Sequence, residues 1–357
     1  MGKSTIKILL IGPLPPPVHG TTVSFRQMVK QLQIQNLVEI QIIDTSRKYS
    51  NFNLLDTIKV ALRTIMKLIL YTKKVDIVTY HASPKAALLF SPVVHIVSRC
   101  FRKPWVLRCF GGNIDQVYKA FSPVIRFFIQ KTSLAADSCL FQTHHLVDFF
   151  NKICKTHALW FPNNRLMPPL TTATSRTTAI NKFIFVGNVK YSKGIKEIIE
   201  ASGKFKSKII VDVYGPFQEG IDEQNFKGLT VVKYKGVLSP DQVIATIKKY
   251  HILLLPSYYQ GEGYPGVILE AYAAGIPVIT TDWRSISEIV DETSGILIQP
   301  KNANELFLAM KRTISNRKVY QKLKLGVKMK RNIFSVEKWT AVFLKRCQML
   351  VYRKKSG

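Results

Sequence analysis

Two carboxylates stand eight positions apart in one glycine-rich stretch, Pro256-Ser257-Tyr258-Tyr259-Gln260-Gly261-Glu262-Gly263-Tyr264-Pro265-Gly266-Val267-Ile268-Leu269-Glu270. An ionised carboxylate only accepts hydrogen bonds, so Glu262 and Glu270 suit a ligand rich in hydroxyls, such as a sugar. The run 252–255 before them reads as a buried strand, and Pro265 opens a helix reaching Ala274. A strand, a polar loop and a helix in that order place free backbone N–H groups at the carboxyl edge of a parallel sheet, where α/β proteins bind ligands. The helix start attracts phosphate through those donors and its dipole. Gly261, Gly263 and Gly266 allow close approach of a ligand. The plainer alternative is a solvated Glu262 and a salt-bridged Glu270.

Three further segments have the same placement after a strand and before a helix. In Phe185-Val186-Gly187-Asn188-Val189-Lys190-Tyr191-Ser192-Lys193-Gly194, the side chains of Lys193 and Lys190 are candidate cations for a phosphate. Each such charged contact is worth roughly 1.5–3 kcal/mol; an ordinary surface lysine is the alternative for Lys193. Gly12-Pro13-Leu14-Pro15-Pro16-Pro17-Val18-His19-Gly20-Thr21-Thr22 is a proline-stiffened loop that offers His19 and Gly20. Arg108-Cys109-Phe110-Gly111-Gly112-Asn113-Ile114-Asp115 offers Gly111, Gly112 and Asn113, and His81 follows another strand. A solvated His19 and a structural His81 are the alternatives.

The elements that must position these residues alternate between short β-branched runs and longer helical stretches, the pattern of parallel α/β layers. Strands are expected at 6–11, 40–43, 77–80, 105–107 and 138–141, then at 183–186, 209–214, 231–234, 252–255 and 278–280. Helices are expected at 21–33, 194–202 and from Pro240, where Ser239 and Gln242 form a capping pair. The stretch 163–181 is rich in Pro, Thr, Asn and Arg and reads as a linker. Two domains follow, 1–168 and 169–334, with a last helix at about 335–352, capped by Ser335, packing back on the first. The tail 353–355 is expected to fray.

Glu262 and Glu270 resemble the Glu-x7-Glu signature of the retaining glycosyltransferases of family 4, which have the GT-B architecture. The resemblance continues through Ala271-Tyr272-Ala273-Ala274-Gly275-Ile276-Pro277-Val278-Ile279-Thr280-Thr281-Asp282, Glu288-Ile289-Val290 and Gly295-Ile296-Leu297. It implies an α/β fold of two Rossmann-like domains facing across a cleft. It also implies that Glu270 binds the ribose hydroxyls of a nucleotide and that Glu262 contacts the donor sugar. The amides from Gly263 through Tyr264, Pro265 and Gly266 to Val267 would hold sugar and diphosphate, and Lys193-Gly194 would supply a diphosphate cation. Asn188 stands where the family usually has arginine, with Lys190 as the compensating candidate. Phe110 stands near the place of a frequent family histidine, so no catalytic histidine is carried over and His81 is the substitute. Phe161-Pro162-Asn163-Asn164 resembles the family's hinge turn.

The charge is strongly one-sided: 52 Lys and Arg against 22 Asp and Glu leave +30, which draws the protein to polyanions. The helical stretch 56–74 carries Lys59, Arg63 and Lys67 on one side and Ile58, Leu62, Ile65 and Ile69 on the other. Its apolar side can pack on the sheet or lie on an anionic membrane, with Arg99, Arg102 and Lys103 extending the patch. The longest nearly apolar run, 86–97, is too short to span a bilayer, and no cleavable leader is read at 1–3. The five cysteines show neither zinc nor redox spacing, and no Asp-x-Asp metal motif stands out. The expectation is a retaining hexosyltransferase with no metal or cofactor, moving a sugar from a nucleotide-diphosphate sugar to a saccharide acceptor, polyprenyl-linked, in surface polysaccharide synthesis. It would be cytoplasmic and peripheral on the inner face of the plasma membrane. The rivals are a sugar-nucleotide epimerase or phosphorylase on the same architecture, an inactive scaffold, and a basic nucleic-acid-binding protein. The last lacks any zinc, basic-aromatic or helix-turn-helix motif, so nucleic acid is not expected as a partner.

Overall fold

The computed structural model describes residues 6–46, 54–170, 179–206 and 208–355. The start of the chain at 1–5 and part of the expected linker, 171–178, lie outside the described residues. The chain divides into two compact units, Met1–Asn164 with Val336–Gly357, and Arg165–Ser335. The division falls after Asn164, at the Asn163-Asn164 turn itself.

In the first unit, β1 (Lys7–Gly12), α1 (Gly20–Gln35), β2 (Glu39–Asp44), α2 (Leu54–Thr72) and β3 (Ile77–Ala82) come first. Then follow α3 (Pro84–Leu89), α4 (Ser91–Cys100), β4 (Trp105–Cys109), α5 (Ile114–Lys119) and α6 (Pro123–Lys131). The series ends with β5 (Ser138–Phe141), α7 (His144–Asn151) and β6 (Ala158–Trp160). The second unit contains β7 (Lys182–Val186), α8 (Ile195–Gly203), β8 (Ile210–Tyr214), β9 (Val232–Tyr234), α9 (Pro240–Ile247) and β10 (Ile252–Leu255). It continues with α10 (Gly266–Ala274), β11 (Val278–Thr281), β12 (Gly295–Ile298), α11 (Ala303–Ser315) and α12 (Arg317–Lys330). The last helix, α13 (Val336–Lys355), returns to the first unit. It includes 353–355, so the tail expected to fray continues the helix.

Each unit holds one six-stranded parallel sheet, β2-β1-β3-β4-β5-β6 in the first and β12-β11-β10-β7-β8-β9 in the second. The second order is that of a dinucleotide-binding Rossmann fold, and it reverses between β7 and β10. In the first unit the reversal lies between β1 and β3. Parallel strands covered on both faces read as unbroken apolar runs, and Leu9, Ile11, Val78 and Leu107 face one helix layer while Ile8, Leu10, Ile77 and Val106 face the other. The second layer is built by α1 and α13: Phe25, Met28 and Leu32 meet Trp339, Phe343, Cys347 and Leu350.

One expectation is corrected here. His81 is not a sugar-side residue. It is fully buried in β3, its Nε2 lies 3.0 Å from Thr79 Oγ1, and its ring sits between Phe25 and Phe343 at 4.9 and 5.6 Å. A central strand covered on both faces leaves that position no route to solvent. Of the two placements expected for α2, the structure leaves its apolar side outward. Thr64, Leu68 and Thr72 are its buried residues, while Ile58, Leu62 and Ile69 are exposed together with Met66 and Leu70. The buried hydroxyls of Thr64 and Thr72 bond the helix's own carbonyls at Val60 and Leu68, 2.7 and 2.6 Å away, which satisfies them without a partner from the sheet.

Burial, then the Arg108 charge, push the His81 pKa well below its ordinary 6.5, so the fold holds the ring neutral. The unfolded chain therefore binds more protons on the acid side of 6.5. The stability this residue contributes is present above that value and drains away as pH falls below it. Lowering the pH from about 7.5 to about 5.5 should therefore depress the melting temperature of the wild type more than that of His81→Leu, with calorimetry as the measurement.

Candidate functional site

The reversal of strand order in the second unit puts two loops side by side at the carboxyl edge of β7 and β10. Residues 187–194 leave β7 and residues 256–265 leave β10. The loops touch at Gly194, which has φ +82° and closes the short turn Tyr191–Lys193. A Cβ there would strike the Pro256 carbonyl, so only glycine allows the contact. Tyr258 N–H donates to the Ser192 carbonyl at 2.9 Å and locks the two loops together.

That contact delivers Lys193 to Glu262. The Nζ of Lys193 forms an ion pair with Oε2 of Glu262, and Ser257 Oγ donates to the same oxygen at 2.7 Å. Their side chains are only 16% and 8% exposed, so water screens the pair little. Lys190 lies 4.0 Å from the Tyr259 ring centroid, and Lys193 5.2 Å from it on the same ring. Lys190 also pairs with Glu219 at 3.3 Å, and that carboxylate accepts from Ser192 N–H and Oγ at 3.2 and 2.9 Å. Burial would raise the Glu219 pKa, but the Ser192 and Lys190 hydrogen bonds outweigh it and hold the carboxyl below its ordinary range. Asn188 is exposed on the β7 loop, whose neighbour Val189 is tied by its N–H to the Pro216 carbonyl at 2.8 Å.

The helix α10 starts beside this cluster. Pro265 precedes it with no side-chain cap, so the first-turn donors of Gly266 and Val267 point from an open helix end. Gly263 is buried next to Glu262. The Tyr264 side chain is structural: its ring is buried and its hydroxyl donates to Glu288 at 2.7 Å, so only its backbone is available to a ligand. One turn into the helix, Glu270 Oε1 accepts from Arg165 Nε at 2.7 Å. Arg165 is a site residue that the sequence reading missed. It lies 105 positions from Glu270, and its only local signal is the Asn163-Asn164 turn before it.

The remaining candidates sit at strand ends of the first unit. His19 and Gly20 are exposed at the start of α1, where His19 N–H donates to Thr22 Oγ1 at 3.0 Å and a Cβ on Gly20 would meet open space. Gly111 takes φ +93° after β4 and donates its N–H to Gln142 Oε1 at 2.8 Å. Gly112 is buried beside it, and Asn113 precedes α5.

Residues 175–329 match the family "Glycosyl transferases group 1". The match falls within the second unit and covers most of it. The chain resembles the O-antigen chain mannosyltransferase C of Escherichia coli, 24% identical over 143 residues, 39% of this chain and 38% of that protein. It also resembles the N,N'-diacetylbacillosaminyl-diphospho-undecaprenol alpha-1,3-N-acetylgalactosaminyltransferase of Campylobacter jejuni, 27% identical over 126 residues, 34% of this chain and 32% of that protein. The chain spans about a third of the length of the curated relatives it matches. Among solved structures, Anabaena Alr3699/HepE in complex with UDP superposes with a TM-score of 0.72 at 15% identity, covering 96% of this chain and 100% of that one. That likeness gives the fold: two Rossmann-like units of the GT-B glycosyltransferases.

The loop contact at Gly194 is testable by stability alone. Gly194→Ala adds left-handed strain and the Pro256 collision, and should cost at least about 1 kcal/mol. Gly203→Ala, where a Cβ would meet nothing within 4 Å, should cost far less. Urea midpoints of the two variants check this.

Proposed function

We propose that the protein transfers a sugar, with retention of anomeric configuration, from a nucleoside diphosphate sugar to a lipid-linked saccharide acceptor in surface polysaccharide synthesis. The observation that carries this is the Lys193–Glu262 pair at the open start of α10, with Glu270 farther along the same helix. A diphosphate at that helix start meets the amides of Gly266 and Val267, the Lys193 ammonium and the helix dipole. Glu270 accepts from the ribose hydroxyls, and Glu262 accepts from the donor sugar while keeping Lys193 in place. Lys190, with Asn188 beside it, is the second cation of the loop.

The acceptor oxygen bonds the anomeric carbon on the face from which the diphosphate departs, and its proton passes to the departing phosphate oxygen. Negative charge grows on that phosphate as the bond breaks. Lys193 and the two amides strengthen their hydrogen bonds as it grows, which lowers the barrier. Charge neutralisation is thus assigned to these groups. His19, Gly20, Gly111, Gly112 and Asn113 are assigned to the acceptor and sugar side. The neighbour's bound UDP and the Campylobacter relative's undecaprenol-linked acceptor favour this donor and acceptor class.

The first unit supports a peripheral place on an anionic membrane at the inner face of the plasma membrane. No helix among the described residues is long and apolar enough to cross one. The helix α6 turns Val124 (79% exposed), Ile125, Phe127 (61%) and Phe128 outward, with Lys119, Arg126 and Lys131 around them. Its buried Ile129 joins the same core layer as Leu68 of α2, so α2 with its exposed Ile58, Leu62 and Met66 lies on the same face of the sheet. Apolar side chains ringed by cations suit an interfacial surface, where each cation adds about 1 kcal/mol.

Thermal shift with UDP-, GDP- and ADP-sugars should single out one donor, because a ligand bound to the native state alone raises its stability. With that donor, Lys193→Ala should lower kcat on the order of 100-fold, and Glu270→Ala should raise the donor KM about tenfold or more. Full activity of both variants at subsaturating donor would sink the assignment. Conversion of the donor to another nucleotide sugar without acceptor would mark an epimerase instead. Wild-type protein should float with anionic liposomes at moderate salt, and Phe127→Ser with Phe128→Ser should leave most of it at the bottom of the gradient.

A further inference from the structure

We infer that Arg165 is a positioning residue for the nucleotide, holding Glu270 in the orientation that reads the ribose. The inference rests on Glu270 being the ribose carboxylate. Arg165 Nε donates to Glu270 Oε1 at 2.7 Å, the short distance of a charge-assisted bond. The guanidinium side chain is 2% exposed and the carboxylate side chain 16%, so the cation is sealed behind an acid that still reaches the surface. With Oε1 committed to the arginine, Oε2 is the oxygen presented to a ligand.

The arginine itself is held from both ends. Its backbone N–H donates to the Phe334 carbonyl at 2.9 Å, and the residue bridges Ser335 in parallel register. The segment leading into the second unit is therefore tied at Arg165 to the segment leading out of it. At the other end the guanidinium lies against α10, because a Cβ on Gly266 would collide with Arg165 Nη2. The glycine at the helix start thus makes room for a protein side chain as well as for a ligand. A glutamate on a helix surface samples several rotamers, and fixing one of them costs entropy on binding. Arg165 bears that ordering before the nucleotide arrives, which is how preorganisation raises affinity. A lysine would supply the charge but not the planar fork that spans Glu270 and the helix start.

The ribose is the readout that separates positioning from mere structural support. Binding of UDP, GDP and ADP to the full chain is measured by calorimetry, and the tightest is compared with its 2′-deoxy counterpart. Wild type should favour the ribonucleotide about tenfold or more, the worth of a hydrogen bond to a charged acceptor. In Arg165→Met the preference should collapse to that of Glu270→Gln, while Arg165→Lys keeps part of it. Donor KM should rise more than kcat falls. If Arg165→Met weakens both nucleotides by the same factor and keeps the wild-type preference, Arg165 is only structural and the inference fails while Glu270 keeps its role. If wild type binds both nucleotides equally well, the ribose reading of Glu270 fails and takes this inference with it. Should Arg165→Met not fold, Gly266→Ala carries the same test. It displaces the guanidinium without removing it, so the ribose preference should fall, and an unchanged preference overturns the inference.

Discussion

The contact between the two loops at Gly194 and Pro256 is the constraint on which the site depends. A parallel sheet whose strand order reverses leaves a gap at its carboxyl edge, and loops from the two adjoining strands border that gap. Here they close on each other through a residue with no Cβ and a left-handed backbone. The Tyr258–Ser192 hydrogen bond then fixes their register. Lys193 reaches Glu262 only because the turn before Gly194 is pressed down in this way. The lysine, the carboxylate and the helix start become neighbours through backbone packing first and electrostatics second.

The electrostatics then work at low exposure. Two ion pairs, Lys193–Glu262 and Arg165–Glu270, are largely withdrawn from water. Such pairs contribute little net stability, since desolvation offsets much of the attraction, yet removing one partner strands the other at a cost of several kcal/mol. Their value lies in geometry. Each acid has one oxygen engaged by a cation, and Ser257 adds a second restraint on Glu262.

What the sequence shows well is whatever is encoded locally. The loop 256–265, the helix from Gly266, the Lys193-Gly194 turn and most strands are contiguous patterns of apolar runs, glycines and prolines, and they stand within a residue or two of where they were expected. The strands β6 and β12 were not read from the sequence, although β9 and β10, which are as short, were. Arg165 was invisible because its partner lies in a distant helix and no spacing rule links them. His81 shows the same gap: a histidine at a strand end gives no sign of which helix layer will cover it, and here Phe25 and Phe343 do. For α2 the periodicity defines two faces but not which one meets the sheet. Two threonines that satisfy their hydroxyls internally proved compatible with burial beside Leu68, which left Ile58, Leu62, Ile69 and Leu70 outside. The second unit is the more legible half because its residues 175–329 carry the pattern of a known family.

The return of α13 to the first unit has a consequence for biogenesis. The layer of aromatic and aliphatic side chains beneath α1 is completed by Trp339, Phe343, Cys347 and Leu350, which leave the ribosome after the whole of the second unit. Domains generally fold as units in the order of synthesis, but this one cannot close in that order. Until α13 is made, one side of the nascent sheet lacks part of its cover, and Phe25, Met28 and their neighbours wait for a segment made more than 300 residues later. The second unit, uninterrupted in sequence, is free to mature first and can stand complete while the first is still open.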